Sequence, residues 1–366
     1  MPGLTEAHNA SGWCNHSRDY APPDFRSVLP HDPVVVLLII VLVLMTLFSI
    51  VANVLTLLSI GSTDDLTWQP RFTFCRNLII SDLLQTLTFG PPVIYLLANR
   101  QTMPFGFWCY AQYFVGGVSI FCSLVTITCM ALERYLFICY ALRYAVILTD
   151  RRLRAALALI WLYSVAVTTA AVAVLLLEPG EEGGDARMFS LLCEPDTLEK
   201  HLGSPRASVQ FRKAIGSLTL LLCVLAHVFS YHKMYRMGVR AVAPFKAANV
   251  KARNTVGFYC AMLLLQLLPA ISKVTADAVR DLGAMETPGS PSEPCGAEPA
   301  LSSAAAFLHV AFLVSLQVPP CINPLVYGVK NVEIRRALSK MFRWRPADRF
   351  RVQAPAEGIR MRSIAK

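Results

Sequence analysis

Seven long apolar runs separated by polar stretches make up most of the chain. They extend approximately over Pro33–Ser59, Phe72–Leu97, Phe107–Tyr140, Leu153–Leu177, Phe211–Arg236, Lys251–Ala278 and Leu301–Tyr327. Each offers at least about 18 mostly apolar residues, near the length that crosses the hydrocarbon core of a bilayer. A backbone in lipid must satisfy its own N–H and C=O groups, so each run predicts a helix rather than a strand. His227 interrupts the inner half of the fifth run. After the seventh, Val332–Phe342 alternates apolar and basic residues at helical spacing. Ile334, Leu338, Met341 and Phe342 would face lipid while Arg335, Arg336 and Lys340 face headgroups, which predicts a short interfacial helix. The expected fold class is an all-α membrane protein, a seven-transmembrane helix bundle with a short C-terminal interfacial helix. The expected organisation is a tail over 1–32, the bundle over 33–327, and the interfacial helix with a basic tail over 328–366.

The polar stretches give the direction of threading. Arg143, Arg151, Arg152 and Arg154 fall in one alternate loop, Lys233, Arg236, Arg240 and Lys246 in the next. Lys330, Arg335, Arg336, Lys340, Arg343 and Arg345 follow the last span. Acids gather in the opposite loops, with Glu178, Glu181, Glu182, Asp185, Glu194 and Asp196 in one and Asp281, Glu286, Glu293 and Glu298 in the other. Lys and Arg collect on the cytoplasmic side, so the N-terminus is expected outside and the chain multi-pass in the plasma membrane. Asp64 and Asp65 before Arg71 are the exception. Asn9-Ala10-Ser11 and Asn15-His16-Ser17 then become glycosylation acceptors at Asn9 and Asn15. The chain is 55% hydrophobic and 16% charged, too apolar for a soluble domain. The net charge of +10 sits in alternate loops rather than along one face, so no nucleic-acid partner is expected.

Four groups of residues carry chemistry. Glu133-Arg134-Tyr135 ends the third span, and an ion pair at the edge of a membrane segment is costly enough to imply a function. Cys109 opens the same span about 24 residues earlier, roughly 36 Å away at about 1.5 Å per residue, so the two mark opposite faces. Cys109 is expected to bridge to Cys193 in the loop after the fourth span, on the oxidising side. Cys14 and Cys295 form a second candidate pair. Asp82, the acid within the second span, must face the interior. Asn53, Ser123 and Asn323 lie at similar depth, so the four either hold a sodium ion or waters, or form a purely structural network. Pro324 kinks the seventh span inside Asn323-Pro324-Leu325-Val326-Tyr327, leaving Asn323 to meet the freed backbone and Tyr327 to move near the inner face. Tyr231 ends the fifth span, either as a partner for Arg134 or Tyr327 or as an interfacial aromatic.

In this order and in these spans, the motifs resemble the rhodopsin-like (class A) G-protein-coupled receptors over all seven helices. Within that class they look like olfactory receptors, nearer the fish-type odorant receptors. The likeness lies in Met130-Ala131-Leu132-Glu133-Arg134-Tyr135 with Ile138-Cys139-Tyr140-Ala141-Leu142-Arg143-Tyr144. It continues in Lys251-Ala252 and in Asn323-Pro324-Leu325-Val326-Tyr327-Gly328-Val329-Lys330-Asn331. The chain departs from that pattern at Thr67-Trp68-Gln69-Pro70-Arg71-Phe72 before the second helix, at Arg253-Asn254-Thr255, and at Leu267, which replaces a pocket-floor aromatic. The loop around Cys193 has one cysteine where olfactory receptors usually have three. The resemblance implies a heterotrimeric G protein as partner, of the stimulatory type, and no catalytic activity.

The ligand is expected among helices three, five, six and seven. Gln112, Tyr113, Gly116, Gly117 and Ile120 share a helical face, where the glycines leave room either for ligand or for a close helix. Leu267, Lys273 and Asp277 line the sixth span, the last two either pairing with each other or meeting a polar ligand. Small apolar molecules or lipids suit this composition. In the resting state Arg134 is expected on Glu133, and activation frees it as helix six swings about Pro269. A peptide or lipid receptor outside olfaction is the alternative within this class. A transporter or channel is the alternative outside it, disfavoured by the lack of a repeat. No metal-ligand cluster or nucleophile–base pair argues for an enzyme.

Overall fold

The structure, a computed structural model, describes residues 32–62, 69–177, 191–194, 198, 206–241, 257, 260–275, 299–329 and 332–343. The described residues are helical wherever an apolar run was read. The spans are Asp32–Gly61, Pro70–Ala98, Phe107–Cys139, Asp150–Leu177, Arg206–Ala241, Cys260–Thr275 within the sixth run, and Pro299–Asn323 continuing as a π-helical turn over Pro324–Val329. The result is an all-α, seven-transmembrane helix bundle. The helix Val332–Arg343 follows it.

The first span shows why a sequence apolar on all sides still packs in one orientation. Val35, Leu38, Leu42, Thr46, Ser49, Asn53, Thr56 and Ile60 are buried, and they recur every three or four residues, which makes one stripe. Val36, Leu37, Ile40, Leu44, Leu47 and Val51 are exposed and face the surrounding lipid. Small and polar residues mark the packed side. Local signals set several ends. Gln69 is extended and Pro70 follows at the first turn, where a missing N–H costs nothing. Gly106, at φ 153°, precedes Phe107 in a conformation that side chains avoid.

Two apolar clusters lie toward opposite ends of the bundle. One holds Leu38, Leu97, Cys109, Leu192, Cys193 and Leu313. The other holds Ile60, Phe72, Ile79, Met130, Tyr327 and Ile334. Ile334 is fully buried in the second cluster and Leu338 packs against it. The interfacial helix therefore turns these two side chains onto the bundle, a correction to the expected lipid-facing set. Burial among protein side chains packs Ile334 at protein density, which lipid tails do not match. Arg335 and Arg336 are exposed, and Glu333 pairs with Arg71 at 2.6 Å.

Prolines decide how the spans lock together. A proline inside a helix leaves the carbonyl four residues earlier without its backbone donor. Pro92 frees the Thr88 carbonyl, which accepts from Gln112 Nε2 at 3.2 Å. Pro320 frees the Leu316 carbonyl, which accepts from Gln85 Nε2 at 2.8 Å. Pro324 frees the Pro320 carbonyl, which accepts from Asn53 Nδ2 at 2.9 Å and Ser49 Oγ at 3.3 Å. Three breaks in helical bonding thus become three ties between helices, in a solvent that offers no water to repair them. Asn323, expected to meet the carbonyl freed by Pro324, is engaged elsewhere, and Asn53 does this instead.

Candidate functional site

The middle of the bundle is polar. Asp82 is fully buried, and its two carboxylate oxygens face two different helices. Asn323 Nδ2 donates to Oδ2 at 2.9 Å, and Ser123 Oγ donates to Oδ1 at 3.3 Å. Gln266 Nε2 of the sixth span donates to Ser123 Oγ at 2.9 Å. Four helices therefore meet through one carboxylate. Asn53 is tied to Ser49 and to Pro320. Its Oδ1 and the Oδ1 of Asn323 are buried and accept no hydrogen bond among the described residues. Sequence reading missed Gln266; a glutamine in the middle of an apolar span was the available signal. It also missed Asn77, which donates to Thr126 Oγ1 at 2.8 Å and accepts from Trp161 Nε1 at 2.8 Å, joining the second, third and fourth spans.

At one end of the third span, Glu133 is buried and accepts from the Tyr144 hydroxyl at 2.5 Å. Tyr144 opens a single helical turn, Tyr144–Ile147, that follows a 3₁₀ turn at Ala141–Arg143, and this short return carries its ring back to the span. Burial first, then the bond to Glu133 and the charge there, push the Tyr144 hydroxyl above its ordinary pKa of 10.0, so it stays a donor. Arg134 holds its guanidinium 5.6 Å from the centre of the Tyr327 ring, within reach of a cation–π contact. Tyr135 stacks edge-on against Phe229 and Tyr140. Tyr231 is buried with Ala131 and Met234, its ring 5.8 Å from that of His227. The third, fifth and seventh spans thus converge on the triplet. Tyr144 was not among the residues expected to act here.

At the opposite end, Cys109 and Cys193 form a disulfide. Gln112 secures the same loop, because its Oε1 accepts from the Cys193 backbone N–H at 2.9 Å while its Nε2 donates to Thr88. Both ends of this amide are used in holding the loop and the second span. Lys273 pairs with Glu194, the residue after Cys193, and His309 Nδ1 lies 3.5 Å from the other Glu194 oxygen. The glycines serve packing. A Cβ on Gly116 would stand 2.4 Å from Phe89 Cζ, and one on Gly117 would stand 2.9 Å from Thr168. Tyr113 packs on the adjoining apolar cluster, Ile120 is exposed and Leu267 is half-buried. Asp277, Asn9, Asn15, Cys14 and Cys295 lie outside the described residues.

A family profile, 7 transmembrane receptor (rhodopsin family), matches residues 52–327. The chain belongs to this family. Olfactory receptor 1B1 of Homo sapiens is 26% identical over 309 residues, spanning 82% of this chain and 88% of that receptor. Olfactory receptor 52P1 of Homo sapiens is 24% identical over 305 residues, spanning 80% and 84%. Olfactory receptor 7E178 of Mus musculus is 25% identical over 304 residues, spanning 82% of each. The protein is therefore a multi-pass plasma-membrane receptor and not an enzyme. The three sets of contacts acquire an order along this receptor. A loop is fastened at one end, a buried carboxylate joins four helices in the middle, and a charged triplet meets aromatic rings at the other end.

Proposed function

We propose that the receptor converts the binding of an extracellular small molecule, of the odorant class, into activation of a heterotrimeric G protein of the stimulatory type. Its N-terminus is outside and the Glu133-Arg134-Tyr135 end is cytoplasmic. The observation that carries this reading is the division of the triplet. Glu133 takes a hydrogen bond from Tyr144, and Arg134 reaches across to Tyr327 on the kinked seventh span. The contact with the Tyr327 ring contributes about 0.5–2 kcal/mol. A G-protein segment offering backbone carbonyls competes with that. Ligand binding near the disulfide shifts the equilibrium only by its different affinity for the two states. Pro269, Pro320 and Pro324 supply the flexible points through which the shift passes.

The carboxylate layer suits a sodium ion. Asp82 gives the charge, Ser123 a hydroxyl oxygen, and the amide oxygens of Asn323 and Asn53 are buried acceptors of hydrogen bonds that no described donor makes. A cation there would supply positive charge to offset the Asp82 carboxylate, held by Asp82, Ser123, Asn323 and Asn53.

The test is nucleotide exchange on purified stimulatory G protein by membranes from cells expressing the full chain. Exchange without ligand is expected, because the sixth span offers no acid near Lys251 to hold Arg134. Arg134→Ala is expected to abolish it at equal surface expression. Unchanged exchange in Arg134→Ala overturns this reading.

A further inference from the structure

The segment after the third span is not held by burial. No residue of the 3₁₀ turn Ala141–Arg143 or of the helical turn Tyr144–Ile147 is buried, and Leu142 and Val146 are fully and largely exposed. Neither turn has a side-chain cap at its start. A four-residue helix does not sustain itself, because nucleation costs more than so short a run of backbone bonds returns. The Leu148 N–H closes this one by donating to the Tyr144 carbonyl at 2.9 Å. Yet the turn places Tyr144 closely enough for its hydroxyl to reach Glu133 Oε1 at 2.5 Å, with its ring edge-on to Phe137.

A restraint comes from the next span. Arg152 is the third residue of the helix Asp150–Leu177, and its neighbour Leu153 is buried in the cluster that holds Phe72 and Met130. Leu153 fixes this end of the fourth span to the bundle, and Arg152 reaches back from it to the turn. Its Nη1 donates to the Ile147 carbonyl at 3.0 Å and to the Val146 carbonyl at 3.4 Å. These are carbonyls of the kind that a helix end leaves without backbone partners, and a basic side chain satisfies them. At the start of its own helix a cation is unfavourable, because that end carries partial positive charge. The contact that offsets this lies on the preceding turn.

We infer that Arg152 is a positioning residue for the Glu133-Arg134-Tyr135 triplet: it holds the Tyr144–Ile147 turn so that the Tyr144 hydroxyl stays on Glu133 and competes with Arg134 for that carboxylate. The link runs from buried Leu153, through Arg152 and two backbone carbonyls, to Tyr144 and Glu133. Loss of this hold leaves Glu133 to Arg134. The consequence for signalling rests on the receptor reading proposed above; the consequence for the turn does not.

The turn is read first, without any G protein, by hydrogen exchange of backbone amides in peptides covering 141–149 of the purified full chain in lipid nanodiscs. Arg152→Ala is expected to speed exchange there at least about three-fold, the worth of a modest hydrogen bond, and to leave peptides at the Cys109 end unchanged. Arg152→Lys keeps a flexible cationic donor for the same carbonyls and is expected to stay within about two-fold of wild type. Ligand-free nucleotide exchange is read second. It is expected to fall about three-fold in Arg152→Ala. In the Tyr144→Phe background, which keeps the ring and lacks the hydroxyl, Arg152→Ala is expected to add less than about 1.5-fold, since both changes act through one bond. Unchanged amide exchange in Arg152→Ala, or a loss of protection as large in Arg152→Lys, overturns the inference. Losses in nucleotide exchange that multiply mean that Arg152 meets the G protein directly, and they also overturn it. A wild-type receptor that drives no exchange on any G protein removes the coupling reading, and the amide measurement alone then decides whether Arg152 holds the turn.

Discussion

Replacing Asn53 with alanine isolates the tie between the first and seventh spans. Asn53 is fully buried, and its amide donates to the Pro320 carbonyl at 2.9 Å. Pro324 has already removed the backbone donor for that oxygen, so Asn53→Ala leaves Ser49 Oγ at 3.3 Å as the remaining donor. A buried carbonyl left unsatisfied costs about 1–3 kcal/mol. Single hydrogen bonds between helices in a membrane have averaged about 0.6 kcal/mol, with a maximum near 1.7. With Ser49 retained, a loss of about 1 kcal/mol is expected. That corresponds to a fall of about 1–2 °C in thermal midpoint for a chain of 366 residues. The proline sharpens the test. Pro324→Ala restores an N–H able to serve the Pro320 carbonyl, so Asn53→Ala in that background is expected to cost close to nothing further. A thiol-reactive fluorophore reports unfolding, because Cys75, Cys122, Cys223 and Cys321 are buried and become reactive as the bundle opens. Midpoints are compared at one scan rate, because a midpoint taken from irreversible unfolding depends on that rate. If the two losses add to within about 0.3 kcal/mol, the residues do not share the carbonyl and the argument from proline is refuted.

Three other contacts give further expected outcomes. Tyr144→Phe removes the hydroxyl that occupies Glu133, freeing the carboxylate to restrain Arg134. Ligand-free exchange is expected to fall about five-fold, the equivalent of about 1 kcal/mol, and a rise would contradict this. Because the Tyr144 pKa is raised, the contact is fully present below the ordinary tyrosine pKa and is lost only as pH climbs past it; exchange is therefore expected to show no Tyr144-dependent step between pH 6 and about 9. Gly116→Ala would drive a Cβ into the Phe89 ring and cost about 1–3 kcal/mol, measurable as lost surface expression, with Phe89→Leu as the expected rescue. Arg71→Gln removes an ion pair exposed by 44% and 41% on its two sides, so the midpoint is expected to move by no more than about 1 °C.

Much of the receptor was legible in its sequence because lipid imposes a simple rule. Only long apolar helices satisfy their backbones there, so the seven runs gave the spans to within a few residues at most ends. The buried depth of Asp82 followed from the same rule, since a carboxylate has nowhere else to go. The positions of Asn53 and Asn323 were legible, but their partners were not. A sequence places a donor on a helix and leaves open which face turns inward. Gly116 and Gly117 illustrate the limit. Adjacent glycines fit a ligand space and a close helix equally well on paper, and only the Phe89 ring and the Thr168 side chain distinguish them.

The sequence by itself determined the number of helices, their approximate limits and the presence of a charged triplet, because these depend on local hydropathy and chain length. Tertiary structure decided which amide serves which proline-freed carbonyl, and that Tyr144, in the turn after the third span, hydrogen-bonds Glu133, where Arg134 was expected. It also brought Glu194, Lys273 and His309 together across 115 positions of chain, from 194 to 309. Helix rotation and loop closure set those pairings. Both arise from the packing of whole faces against each other, a sum over many weak contacts that no local stretch of sequence contains.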